Sequence, residues 1–138
     1  MTVTQRGFDF RRMRFLINRL PMARFRLLKA RSQATRITPV LTGMPHAGGV
    51  SSPVENGYLQ MEAAKDALDN IERELTALRQ ELAPHIETLT DPLEEQAMRM
   101  RYMEGRSVRE IAYSLNYSER RIFQVISIAE RRVGQSFH

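Results

Sequence analysis

The chain of 138 residues has no cysteine and no tryptophan. Without cysteine there are no disulfides and no thiolate chemistry, and the compartment expected is a reducing cytoplasm. Histidine is scarce. His46, His85 and His138 stand far apart, without the spacing of a ligand set, so neither a metal nor a cofactor is expected. No apolar run reaches the length of a membrane span, and Arg interrupts the N-terminal stretch where a secretory signal needs its apolar core. No stretch alternates apolar and polar residues as a strand would. No nucleophile stands in a pattern with a base, and no Gly-rich phosphate cradle follows a strand, so no catalytic residues and no enzyme are expected. Glycine and proline number only 7 and 6, and more than half of them fall between Pro39 and Gly57. Elsewhere little interrupts a helix, and the fold class expected is all-α.

The helical patterns divide the chain into four parts. Residues 1–37 form a basic segment with ten Lys/Arg and one acid. After a loose start up to Gly7, Met13, Leu16, Leu20, Ala23, Leu27, Ala30, Ala34 and Ile37 step by threes and fours, a heptad seam that Pro21 is expected to kink or divide. Residues 38–57 read as a Gly/Pro-rich loop. Gly48-Gly49 lacks the Gly-Lys-Ser/Thr of a nucleotide-binding loop, so a connection is expected there. Residues 58–90 carry a second seam, Met61, Ala64, Leu68, Ile71, Leu75, Leu78 and Leu82, flanked by Glu72, Glu74 and Glu81. The first seam is flanked by Arg19, Arg24, Arg26 and Arg31. Opposite charges beside two apolar seams predict an antiparallel helix pair, within one chain or swapped between two. Two thin helices bury little alone, so a homo-oligomer is expected, a dimer in the first place. The Phe/Arg mixture of the first segment could also suit a phosphate backbone or a membrane surface, but the packed coil is preferred and no membrane partner is expected.

Residues 91–138 contain three helix patterns with two short breaks. Asp91 and Pro92 have the chemistry of an N-cap and a first helical residue. Gly105 suits a left-handed helix end, Ser107 an N-cap, and Glu110 completes a Ser-x-x-Glu capping box. Val108, Ile111, Ala112 and Leu115 follow at helical spacing. Asn116 again suits a left-handed residue, and Ser118 caps a third helix. Two helices joined by a three-residue turn describe a helix-turn-helix. On the third helix Ile122, Val125, Ile126, Ala129 and Val133 make the core stripe. Arg120, Gln124, Ser127 and Arg131 lie opposite, with Arg121 beside them. Arg can bond two acceptors on guanine, Gln can pair with adenine as donor and acceptor, and Ser can meet a base or a phosphate. The N-terminus capped by Ser118 suits a phosphate. With Arg109 on the preceding helix, these residues are the expected contacts to double-stranded DNA. The alternative at this point is an ordinary solvated polar face.

The run from Arg101 to Val133 resembles the C-terminal DNA-binding domain of sigma-70 factors. The likeness lies in the aromatic-x-x-Gly before the turn, the Glu110-Ile111-Ala112 of the second helix and the Ser118 that opens the third. Gly43-Met44-Pro45-His46-Ala47-Gly48-Gly49 followed by a long charged helix resembles the RinA/ArpU-type phage regulators, small proteins with a helical front half and a sigma-like back half. The first thirty residues, rich in Phe and Arg, depart from that family's mixed-charge start. The resemblance implies a sequence-specific transcriptional activator of late phage genes, at work in the cytoplasm of a bacterial host, with RNA polymerase as a further partner. Two other functions fit the same pattern: the DNA-recognition subunit of a small-terminase-like packaging machine, and a helical scaffold that binds protein only.

Overall fold

A computed structural model describes residues 7–41 and 53–137 of the chain. Among the described residues the structure is all-α: α1 (Phe10–Leu41), α2 (Pro53–Glu87), α3 (Pro92–Met98), a π-helical segment (Arg99–Met103), α4 (Val108–Leu115) and α5 (Glu119–Gln135). The chain divides into two compact units. One comprises the residues from Asn18 to Glu74. The other joins the residues up to Ile17 with those from Leu75 onward.

The first unit is a helical hairpin. Ala23 and Leu27 of α1 and Leu68 of α2 form its buried core, with Leu20, Met61, Ala64 and Ile71 packed around them. All are seam residues, so the heptad stripes are the surfaces that meet. Arg24 reaches Glu72 at 3.7 Å, both half-exposed. A pair so open to water contributes at most about 1 kcal/mol, and apolar burial carries the contact.

Proline interrupts these helices less than its chemistry suggests. α1 runs through Pro21, and α2 runs through Pro84 to Glu87. Each ring removes one backbone hydrogen bond, a local loss that packing along the same helix can offset. The loop expected over 38–57 is shorter than its composition implies. Residues 38–41 belong to α1, and residues 53–57 belong to α2, where Gly57 is buried. Pro53 opens α2 at the position where a missing N–H costs nothing. The Gly43–Gly49 run and the loose start up to residue 6 lie outside the described residues, as does the side chain of Ile37.

The second unit contains the helix-turn-helix. α3 and α4 each pack against α5. The core holds Ala97, Met98, Tyr102, Ile111, Ile122, Ala129 and Val133, each without solvent exposure. The ends of the front helices share this unit. Met13, Leu16 and Ile17 are buried at the start of α1, and Leu75, Leu82 and Ile86 along the end of α2. Asp9 caps α1, its Oδ1 accepting from the Arg12 N–H at 2.9 Å. Phe10 is buried with its ring 5.2 Å from that of Tyr102, and Phe8 lies between Phe10 and Phe137. Phe10 therefore serves the protein interior, and Phe8 is partly covered by the neighbouring rings.

Candidate nucleic-acid interface

Each end of α4 and the start of α5 is fixed by side chains of the expected type. Ser107 Oγ accepts from the Glu110 N–H at 3.1 Å, and Glu110 Oε1 accepts from the Ser107 N–H at 2.9 Å, which is a closed capping box. The bond from the Ser107 N–H first, and the adjacent Ser107 hydroxyl second, hold the exposed Glu110 carboxyl below its ordinary pKa. Gly105 has φ +71° and Asn116 has φ 62°, so both breaks turn through the left-handed region. Ser118 Oγ accepts from the Arg121 N–H at 3.1 Å and caps α5. α3 begins on Asp91, whose Oδ1 accepts from the Leu93 N–H at 2.9 Å, with Pro92 in its first turn.

One feature before the turn has no counterpart in the sequence pattern. Between α3 and Gly105 the chain widens into the π-helical segment Arg99–Met103, where the Glu104 N–H donates to the Arg99 carbonyl at 3.1 Å. Wide turns of this kind concentrate at functional places, and no residue type announces them. Here the segment carries Tyr102, fully buried. Arg14 of α1 donates to the Tyr102 hydroxyl at 2.8 Å and to Glu130 Oε2 of α5 at 3.0 Å, and the Tyr102 hydroxyl in turn donates to Glu130. Burial first, then the Glu130 carboxylate, raises the phenol well above its ordinary value, so it stays protonated. Burial alone would lower the Arg14 pKa, but its bond to Tyr102 and the charge of Glu130 outweigh that and raise it. Arg79 of α2 adds a bond from Nε to the Tyr102 carbonyl at 2.8 Å. Thus α1 holds the Tyr102 side chain and α2 holds its carbonyl, just before the turn.

With its ends and core side fixed, α5 presents the opposite side outward. Arg120, Gln124 and Arg131 are exposed there, and Arg121 is exposed on the adjoining flank. Arg109 is exposed on α4. Ser118 is exposed as well, and its Oγ caps the helix as expected. Ser127 is placed differently, half-buried in a cleft with Arg14, Arg101, Val108, Phe123, Ile126 and Glu130. The neighbouring Arg132 is a structural residue. Its guanidinium meets the buried carboxylate of Glu94 at 3.1 Å. Pattern reading passed over three aromatic residues at this surface, Tyr113, Tyr117 and Phe123, with exposures of 87%, 46% and 64%. Their signal was available: Tyr113 and Phe123 fall off the apolar stripes of α4 and α5, and Tyr117 stands in the turn between them.

A family model described as a protein of unknown function, DUF1492, matches residues 38–134. Neither the curated proteins nor the solved structures include a match to this chain.

Proposed function

Starting from the premise that the chain belongs to the DUF1492 family, we propose that it is a sequence-specific double-stranded-DNA-binding regulator of transcription, of the RinA/ArpU type. The observation that carries this reading is the outward side of α5. Arg120, Gln124 and Arg131 stand exposed on a helix whose ends are capped and whose opposite side is buried, so their positions are held by the core. Side chains with these donors and acceptors, on a helix of about five turns, suit the edges of bases in a major groove. Arg109 and Arg121 are the phosphate contacts, with Ser118 at the N-terminus of the helix. No catalytic step is part of this function. By the sigma-like resemblance, RNA polymerase is the second partner, and the bacterial cytoplasm is the place of action.

The protein acts as a dimer in this reading. α1 is apolar on two sides. Ala23, Leu27 and Ala30 face inward, whereas Met22, Phe25 and Leu28 are exposed at 58%, 65% and 65%, and Leu59 of α2 at 63%. A second copy laid on that stripe would cover it and set two helix-turn-helix heads on paired half-sites.

The test is selection of duplex DNA from a random pool by the purified full chain, beside a variant with Arg120→Ala, Gln124→Ala and Arg131→Ala. The expected result is a discrete repeated site for the parent and none for the variant. Equal enrichment by both would show that another surface binds DNA.

A further inference from the structure

Of the two large apolar side chains that α5 leaves exposed, Phe123 and Ile128, Phe123 is the more open, at 64% against 38%. It follows Arg120 by three residues and precedes Ser127 by four, so the three share one stripe of the helix. It borders the same side as Gln124 and is 64% exposed, whereas its neighbours Ile122, Val125 and Ile126 are buried. The cleft it lines with Ser127 also holds the guanidiniums of Arg14 and Arg101 and one carboxylate, Glu130. Arg14 and Glu130 bond each other, and Arg101 donates to the Arg106 carbonyl at 3.0 Å. An apolar ring beside a basic stripe needs a partner that is anionic at its edge and apolar at one point. Duplex DNA meets both demands. Its phosphates supply the charge, and the major groove offers one apolar feature among its donors and acceptors, the C5 methyl group of thymine.

We propose that Phe123 is a specificity-determining residue that packs on the C5 methyl of one thymine in each half-site, next to the base read by Arg120 or Gln124. The inference rests on the DNA-binding reading of α5 and adds to it the identity of a base. The ring reads shape and apolarity alone, so it discriminates at a position where no hydrogen bond would show a preference.

The experiment uses the full chain and the duplex recovered by selection. Each thymine is replaced singly by deoxyuridine, which removes the methyl group and leaves every donor and acceptor in place. Loss of one buried methyl-sized group corresponds to about fourfold in affinity. The parent protein should weaken by about that factor at one thymine per half-site and be indifferent elsewhere. Phe123→Ala should bind the parent duplex more weakly and no longer distinguish thymine from uridine at that position. Phe123→Leu, which keeps an apolar contact, should retain part of the distinction. Because the side chain is exposed, the variants should melt like the parent, and circular dichroism checks this. Uridine tolerated at every position, a selected site without thymine, or the same loss in Phe123→Ala would each overturn the proposal while leaving DNA binding intact. A parent protein that selects no duplex at all would overturn the regulator reading itself.

Discussion

Glu110 shows how much one exposed carboxylate can control at a helix start. Its Oε1 accepts from the Ser107 N–H and thereby satisfies a donor that the helix leaves free. The bond needs the ionised form, which is why the carboxyl holds its proton less tightly in the folded chain. A folded value below the unfolded one contributes stability at neutral pH, and that contribution is lost as pH falls from the ordinary carboxylate range through the lowered value. Glu110→Gln keeps an acceptor but has no charge to titrate. The parent should therefore melt above Glu110→Gln at neutral pH, and the gap should narrow as the pH falls below the ordinary carboxylate range. A gap that stays constant over this range would mean that the carboxylate's charge adds nothing to the cap.

At the scale of elements, α1 separates what sequence pattern can reveal from what it cannot. Its seam was legible because threes and fours repeat without a gap, and Met13, Leu16, Ala23, Leu27, Ala30 and Ala34 are all buried. The caps of α3, α4 and α5 were legible too, since Asp91, Ser107, Asn116 and Ser118 each answer a local backbone need. The bond from Arg14 to Tyr102 spans 88 positions and that to Glu130 spans 116, and no local pattern encodes a contact of that range. The same holds for the π-helical segment and for the continuation of α1 through Pro21, where packing prevails over the preference of a single residue. The outward stripe of α1 lies between these cases, present in the sequence but masked by its arginines. If Met22, Phe25 and Leu28 form the dimer contact, Phe25→Glu places a charge in its middle and should convert dimer to monomer in sedimentation equilibrium. The buried seam is untouched, so helicity should persist. An unchanged mass would remove this stripe as the interface.

For the whole molecule the formal net charge of +5 is misleading, because its basic excess lies in the first segment while residues 91–138 hold eight basic and seven acidic side chains. Near-neutrality of the helix-turn-helix taken as a total would favour a partner other than DNA, but the structure sorts these charges. Glu130 is tied to Arg14, Glu95 to Arg99, Glu104 to Arg106 and Glu94 to Arg132. Glu110 is engaged in the capping box. With Asp91 capping α3, six of the seven acids are engaged in contacts within the unit and Glu119 is exposed at the start of α5, while four arginines, Arg109, Arg120, Arg121 and Arg131, stay exposed around α4 and α5. A surface sorted in this way should bind a polyanion in spite of the balanced total. Counterion release then gives a quantitative test. The logarithm of the binding constant should fall linearly with the logarithm of salt concentration, and each of Arg109→Ala and Arg121→Ala should reduce the slope by about 0.9, the value of one lost phosphate contact. The reduction should be the same on specific and unrelated duplexes, because phosphates carry no sequence, whereas Gln124→Ala should leave the slope alone and relax the preference among bases. A parent protein whose binding ignores salt would instead point to a protein partner for this face, with the outward arginines serving only as a solvated surface.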